Sequence, residues 1–580
     1  MGRGSEDPVL LRHDILTLQD AYDTPDPQDE VMRQNKLAMQ KLLWAFRLLQ
    51  QADPKNWNSF FRIAGFHGMP FRGAGWGNPN WWGGYCNHGN VLFPTWHRAY
   101  VVRLENALRI VSGYKDIALP YWNQTSKEGL ENGIPSIFLR PQVVIPSSVT
   151  GAKEETIENP LRSYKFQQGI QDNLNPIPDA DYSRPKGYGT KRYPFSGLVS
   201  GENGPATAQH NWLFSQMDTD KFLNDNVKDW LTREYIINSD GQKIEANTSS
   251  KYTQCLDAPT YTVFSNSTSA AQYNEDKLIN TPDNFADTQD VPNLPVVPLE
   301  SPHNDIHAAV GGFTIPGQEN FSPVVGANGD MGENDTAGFD PIFYFHHCFV
   351  DKVFWDWQKK WDKRTKLEID VGYPGTNSVD SQGPTPGVSG NTWLTMESPL
   401  APFTKDDSEN GNPLTSNDVC DIVGQLRYKY YDNDDNASSG KGVIGEIASG
   451  EKALQLLGLK SSKDGGSSSV PVAHVSGINR AAIPGSFIIV AWATLGDKER
   501  VVGTESVLSR WMVSGCANCQ SHLSVKAILP LPHLTEKELA TVRVGLHGRT
   551  TRINDLNSDS KTRGGWRLRK IKMPNVEFPL

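Results

Sequence analysis

The sequence predicts a mainly α-helical domain, a four-helix bundle with many long loops, followed by an all-β C-terminal domain. Three observations carry that prediction. Segments with apolar residues at helical spacing lie in the first three quarters of the chain, and two sets of histidines stand on or beside them. From about residue 465 the composition turns to short alternating or continuous apolar runs bounded by Gly, Pro, Asn and Asp, which is how strands read. The length of 580 residues also exceeds the roughly 250–300 at which single cores stop growing, so at least two domains are expected.

In chain order, VLLRHDIL (9–16) reads as a short strand or extended arm. PQDEVMRQNKLAMQKLLWAFRLLQQ, from Pro27, is an amphipathic helix with acidic residues in its first turn. Asn56 to Phe66 reads as a second helix, ended by Gly68 and Pro70, that delivers His67. After a Gly/Asn/Trp loop (72–90), Thr95 is the expected N-cap of WHRAYVVRLENALRIV, which places His97 in a first helical turn. Residues 123–300, rich in Asn, Ser, Pro and Gly, read as irregular connections with short helices such as 219–235. Helical order returns at Pro302–Val310, where His303 and His307 lie one turn apart, and in DPIFYFHHCFVDKVFWDWQKKW, opened by Asp340 and Pro341. The expected division is 1–432 for the helical domain, 433–470 for a cleavable linker containing SSKDGGSSS, and 471–580 for a β-sandwich lid.

The net charge of −10 argues against a nucleic-acid partner, and the basic run TRGGWRLRKIK reads as a solvated strand or tail. No apolar run is long enough for a membrane span. The N-terminus lacks the apolar core of a secretory signal, so the expected location is intracellular, in the cytoplasm. Six cysteines form no disulfide framework. Self-association to a homo-oligomer is left open.

The chemistry lies in the histidines. His67, His88 and His97 form one set; His303, His307 and the adjacent His346 and His347 form another. Neutral imidazole suits copper, zinc, iron or nickel, and three of them leave a coordination position open for chemistry. Any one of these residues alone would be read as a hydrogen-bonded core histidine. The chain has only 13 histidines, however, and about half fall into these two windows, so the reading is a two-metal, oxygen-handling enzyme. His346 and His347 are about 100° apart on a helix, so one ligand and one supporting residue are expected. His210, in AQHNWLF, has Phe214 where a second ligand would stand and is assigned a structural role.

The C-x-H motif, the nine-residue step to TWHR, then H-N-x-x-H and DPIF-x-x-HH-x-x-VDK resemble those of type 3 dicopper proteins, specifically fungal tyrosinases and polyphenol oxidases made as latent proenzymes. The resemblance covers about residues 10–432. It implies two copper ions, one on His67, His88 and His97 and one on His303, His307 and His347. It also implies a thioether between Cys86 and His88, Phe343 as a shield over the second copper, and Arg12 packed on Tyr428 and Tyr430. Glu300 and Asn304 would hold a water that takes the proton of a bound monophenol, and Ala308 would leave the site's mouth open. The partners implied are dioxygen and small phenols. The implied activity is ortho-hydroxylation of monophenols and oxidation of o-diphenols to o-quinones, the chemistry of melanin-type pigments.

Two rivals share these residues: a catechol oxidase without monophenolase activity, and a hemocyanin-like oxygen carrier. A cleavable linker favours the enzyme, since a carrier has no need to shed its cover. Val507, Leu508 and Trp511 are the candidate lid residues that plug the mouth, unless they belong to the β domain's own core. Cys516 and Cys519, a CxxC with His522 nearby, are soft ligands that the resemblance links to copper loading.

Overall fold

The computed structural model describes residues 8–68, 85–170, 183–236, 243–278, 295–314, 321, 323, 328–378, 388, 391–431, 469–483, 485–509, 524–548, 552–558 and 564–572. Most of the expected linker, together with Trp511, Cys516 and Cys519, lies outside them.

Helix α1 (Ile15–Asp23) is capped by the Asp14 side chain, and α2 (Glu30–Gln51) by that of Asp29, each accepting from a backbone N–H of the first turn. Met39, Leu42, Leu43, Phe46 and Leu49 form the buried stripe that the spacing in α2 predicts. Helix α3 (Phe60–Gly65) is shorter than expected; Ser59 caps it, and His67 follows two residues past its end. Helix α4 (Phe93–Ser112) starts three residues before the expected point. Thr95 is therefore inside the first turn, its hydroxyl 3.2 Å from the Leu92 carbonyl and 2.7 Å from Ser416 Oγ. Pro94 pre-forms that turn, because a proline near a helix start loses only an N–H that has no intrahelical partner there.

Helices α5 (Ser267–Leu278), α6 (Glu300–Gly311) and α7 (Ile342–Lys360) complete the frame of the site. The Asp340 carboxylate accepts from Ile342 N at 3.1 Å and so opens α7. The chain's two ends meet where β1 (Leu10–Arg12) pairs in parallel with β2 (Tyr428–Tyr430). There the Arg12 guanidinium lies 3.6 Å from the Tyr428 ring centroid and pairs with Glu105 and Asp351, so a fully buried cation is compensated from three directions.

Beyond the linker, two antiparallel sheets face each other. One has the order β5 (Lys498–Val507), β4 (Phe487–Leu495), β7 (Arg543–Gly548), β8 (Arg552–Ile553); the other has β6 (Ser524–Pro530), β3 (Ser469–Asn479), β9 (Gly565–Lys572). Between them lies an apolar core that includes Val475, Ile489, Ala491, Leu529 and Val544. Strand β4 has no wet face. Ile489, Ala491 and Ala493 enter that core, while Ile488, Val490 and Trp492 join the core of the helical domain. That is why SFIIVAWATL reads as a continuous apolar run, and it already seats the β domain on the helices. No helix among the described residues is long and apolar enough to cross a membrane.

Candidate metal centre

Seven histidines gather at the middle of the helical domain, all of them buried. His67 comes from the turn after α3, His88 from the loop before α4, His97 from α4, His303 and His307 from α6, and His346 and His347 from α7. Within the first set, and within the second, the ligand-capable atoms lie within 4.8 Å of one another. Across the two sets the rings pair off nearly face to face. His67 lies over His307 at 6.5 Å and 16°, His97 over His347 at 4.5 Å and 12°, and His88 over His303 at 5.5 Å and 28°. Two three-imidazole half-sites therefore oppose each other.

The hydrogen bonds show which nitrogens are available. Nδ1 of His67 bonds the Asn334 carbonyl (2.7 Å), that of His97 the Phe93 carbonyl (2.9 Å), that of His307 the Met331 carbonyl (2.8 Å), and that of His303 the amide oxygen of Asn304 (2.9 Å). A carbonyl accepts only from N–H, so each ring carries its proton on Nδ1 and turns a lone pair outward on Nε2, the arrangement of metal-binding histidine. Nε2 of His303 and Nε2 of His307 each lie 3.3 Å from Nε2 of His347. Three nitrogens converging so closely, with those of His303 and His307 turning lone pairs inward, fit a cation at their centre. Burial also keeps the rings neutral, lowering His97 to about 3 and His307 to about 4 and holding His303 and His347 well below the usual histidine range. Among the described residues, no other cluster of this kind occurs. His210 bonds the Pro194 carbonyl and stacks on Phe214, as a structural histidine does.

Phe343 lies 4.0 Å from His347, 5.0 Å from His67 and 5.6 Å from His307, so one ring shields both half-sites. Cys86 is buried in the core of the helical domain, two residues before His88. Glu300 accepts from Gly89 N at 2.7 Å and from Ser267 N at 2.8 Å, tying the residue after His88 to the start of α5. Burial raises its pKa while these two N–H groups pull it back. Asn304 bridges two domains, with its oxygen on His303 and its Nδ2 donating to the Ser506 carbonyl of β5 at 3.0 Å.

Ala308 is 2% exposed and every residue of α6 is buried, so the open mouth expected from this small side chain is not what the structure has: β5 lies across the helix. Beside the Asn304 contact, Ser506 Oγ donates to Asp305 (2.8 Å) and Ser301 donates to Glu505 (2.7 Å). Lys251 reaches Asp305 (2.8 Å), the Thr504 carbonyl (2.9 Å) and Glu505 (3.6 Å). Of the plug candidates, Val507 packs into the β domain's own core and borders a cavity of about 200 Å³ shared with Glu300, Asn304 and Arg480. Leu508 is buried as well. Residues such as Lys251, Glu505 and Ser506 give no spacing signal in the sequence, because each matters only through a contact far along the chain.

The common central domain of tyrosinase matches residues 57–360. The chain is 46% identical over 512 residues to a tyrosinase of Aspergillus oryzae, covering 87% of this chain and 88% of that one. It is 42% identical over 555 residues to the tyrosinase HcTyr2 of Hahella sp., covering 92% and 90%. Among solved structures, the tyrosinase from Burkholderia thailandensis superposes with a TM-score of 0.74 at 36% identity, over 97% of this chain and all of that one.

Proposed function

This chain is a member of the tyrosinase family, a copper phenol oxidase that holds two copper ions, and from that premise we propose that it hydroxylates monophenols at the ortho position and oxidises o-diphenols to o-quinones, with its β domain keeping it latent. The o-quinones would feed melanin-type pigment chemistry. The observation that carries the reading is the position of Asn304, between His303 Nδ1 and the Ser506 carbonyl.

His67, His88 and His97 would hold one copper and His303, His307 and His347 the other; bound there, the pair supplies the electron-accepting chemistry with dioxygen as oxidant. The protein's own part is orientation and proton handling. Carbonyls on Nδ1 aim the imidazoles, and Phe343 excludes water from the face they share. A free phenol, with a pKa of about 10, is a poor ligand near neutral pH and must lose its proton on binding. Glu300 and Asn304 would hold a water that accepts it. An o-diphenol has less need of that help, so the pair marks the hydroxylating reaction and separates this reading from a plain catechol oxidase.

The same contact accounts for latency. With β5 docked, the Asn304 amide donates to Ser506, and α6 is covered by a strand fixed through Glu505, Ser506 and Lys251. A tethered cover competes at high effective concentration, so substrate meets a closed site until the tether is cut. Oxygen uptake with catechol and with tyrosine, before and after limited proteolysis between residues 433 and 468, tests the proposal. Cleavage is expected to raise both rates about a hundredfold. Equal rates for cut and uncut chain would end the latency reading; catechol turnover without tyrosine turnover after cutting would favour the catechol oxidase.

A further inference from the structure

The second half-site holds one imidazole too many. His303, His307, His346 and His347 all bring a ligand-capable atom within 4.8 Å of the others, and all four are buried. The 100° step between neighbours on α7 does not take His346 away: its ring lies over that of His303 at 5.3 Å and 19°, and 5.3 Å from that of His307. A fourth imidazole on that metal would fill the position that chemistry needs open.

What sets His346 apart from its neighbours is its partner. Where the Nδ1 atoms of His67, His97, His303 and His307 bond carbonyl oxygens, Nδ1 of His346 receives the side-chain amide of Gln124 at 3.0 Å. A neutral imidazole carries a single proton, on one ring nitrogen or the other. An N–H of Gln124 donating into Nδ1 uses that lone pair and leaves the proton on Nε2, and neither nitrogen then has a lone pair for a metal. Gln124 is itself fully buried and firmly placed. Trp122 N donates to the Phe345 carbonyl at 3.1 Å, Trp122 Nε1 to the Gly133 carbonyl at 3.1 Å, and Asn123 Oδ1 accepts from Thr125 N and Ser126 N. The segment is thereby pinned to the backbone of α7 one residue before His346.

We propose that Gln124 is a positioning residue that holds His346 with its proton on Nε2, and so limits the second copper to His303, His307 and His347 with one coordination position open. The inference rests on the assignment of those three histidines to one metal.

The test is the copper-loaded full chain carrying Gln124→Glu, a near-isosteric change that reverses the hydrogen bond. A carboxylate can only accept, which moves the ring proton to Nδ1 and turns a lone pair outward on Nε2. The readouts are imidazole count per copper by X-ray absorption, release of copper to a chelator, and catechol oxidation by the trimmed form. Q124E should show a higher imidazole count, slower loss of one of its two coppers, and a turnover lowered about tenfold or more. The double variant Q124E/H346F, which has no fourth imidazole to offer, should recover the parent's count and most of its turnover. A Q124E protein with unchanged imidazole count, or a double variant as slow as Q124E, overturns the proposal. Q124L, which removes the bond without reversing it, guards against misfolding and should fall between the parent and Q124E in imidazole count; if it slows turnover as much as Q124E while its imidazole count stays that of the parent, Gln124 is only filling space and the proposal fails. Loss of the ligand assignment would look different, as retention of both coppers in His347→Ala.

Discussion

The two half-sites perform the same task with different materials. In the first, His67 and His88 lie outside helices and only His97 is helical, with the buried Cys86 two residues before His88. In the second, all the histidines stand on α6 and α7, whose contact faces are buried along their length. The outer side of α6 is also the ground on which β5 docks, through Ser301, Asn304 and Asp305. A loop-built half-site needs local anchors to hold its ligands, whereas a helix-built one is held by packing and leaves side chains between its ligands free for other work. Residues 300–308 use that freedom, alternating the histidines His303 and His307 with residues that bond the His303 ring and strand β5.

The largest effect should come from separating the two histidines of α7. His347→Ala is expected to lose the second copper and essentially all activity, while His346→Ala keeps both coppers at reduced affinity, about 10- to 100-fold. Copper titre and oxygen uptake decide it, and a reversal of the two outcomes would exchange their roles.

Next in size is the reaction-specific effect at α6. Asn304→Gly or Glu300→Gln in the trimmed form should lower tyrosine hydroxylation about a hundredfold and leave catechol oxidation little changed, as loss of a general base for one substrate class does. Equal losses on both substrates would reduce the pair to a scaffold that ties Gly89 and Ser267 to α6.

On the first half-site, a covalent anchor would sharpen the contrast with the second. In protein matured with copper and dioxygen, the peptide pair containing Cys86 and His88 should weigh two hydrogens less than the sum of its parts, as a carbon–sulfur bond requires. Cys86 that alkylates freely in active protein would contradict this.

The smallest effect concerns pH and the docked β domain. His474 of β3 faces Glu275 of α5 at 3.5 Å, with Lys526, Arg567 and Arg569 nearby. Burial first, and then those three cations, outweigh Glu275 and lower the pKa of His474 in the docked state. Its contribution to docking is therefore complete above the free value of about 6.5 and fades as pH falls through the lowered one. Glu505 works the other way: burial raises its pKa, so its ionisation opposes docking as pH rises. Mild acidification from about pH 7.5 to 6 should thus raise catechol oxidation by the uncut chain severalfold, and His474→Gln should flatten that rise. A rise that persists in the variant would place the sensitive group elsewhere.

Much of this was legible in the chain. The helices declare themselves because a buried stripe must recur every three or four residues, as in Met39, Leu42, Leu43 and Phe46. The ligands declare themselves because a helix brings i and i+4 to one face, as with His303 and His307, whatever the rest of the molecule does. The continuous run in β4 likewise announced a strand, although not that both of its faces are covered. Local physics, which acts over a few residues, determined those features from sequence alone. Tertiary structure decided everything that depends on contacts between distant segments: that Gln124 meets His346, that Ser506 meets Asn304, that Lys251 joins Asp305 to Glu505, and that α6 is covered where a small Ala308 suggested an opening. Such pairs leave no periodicity, since each partner satisfies its own local rules and the hydrogen bond between them exists only once packing has brought two remote stretches together.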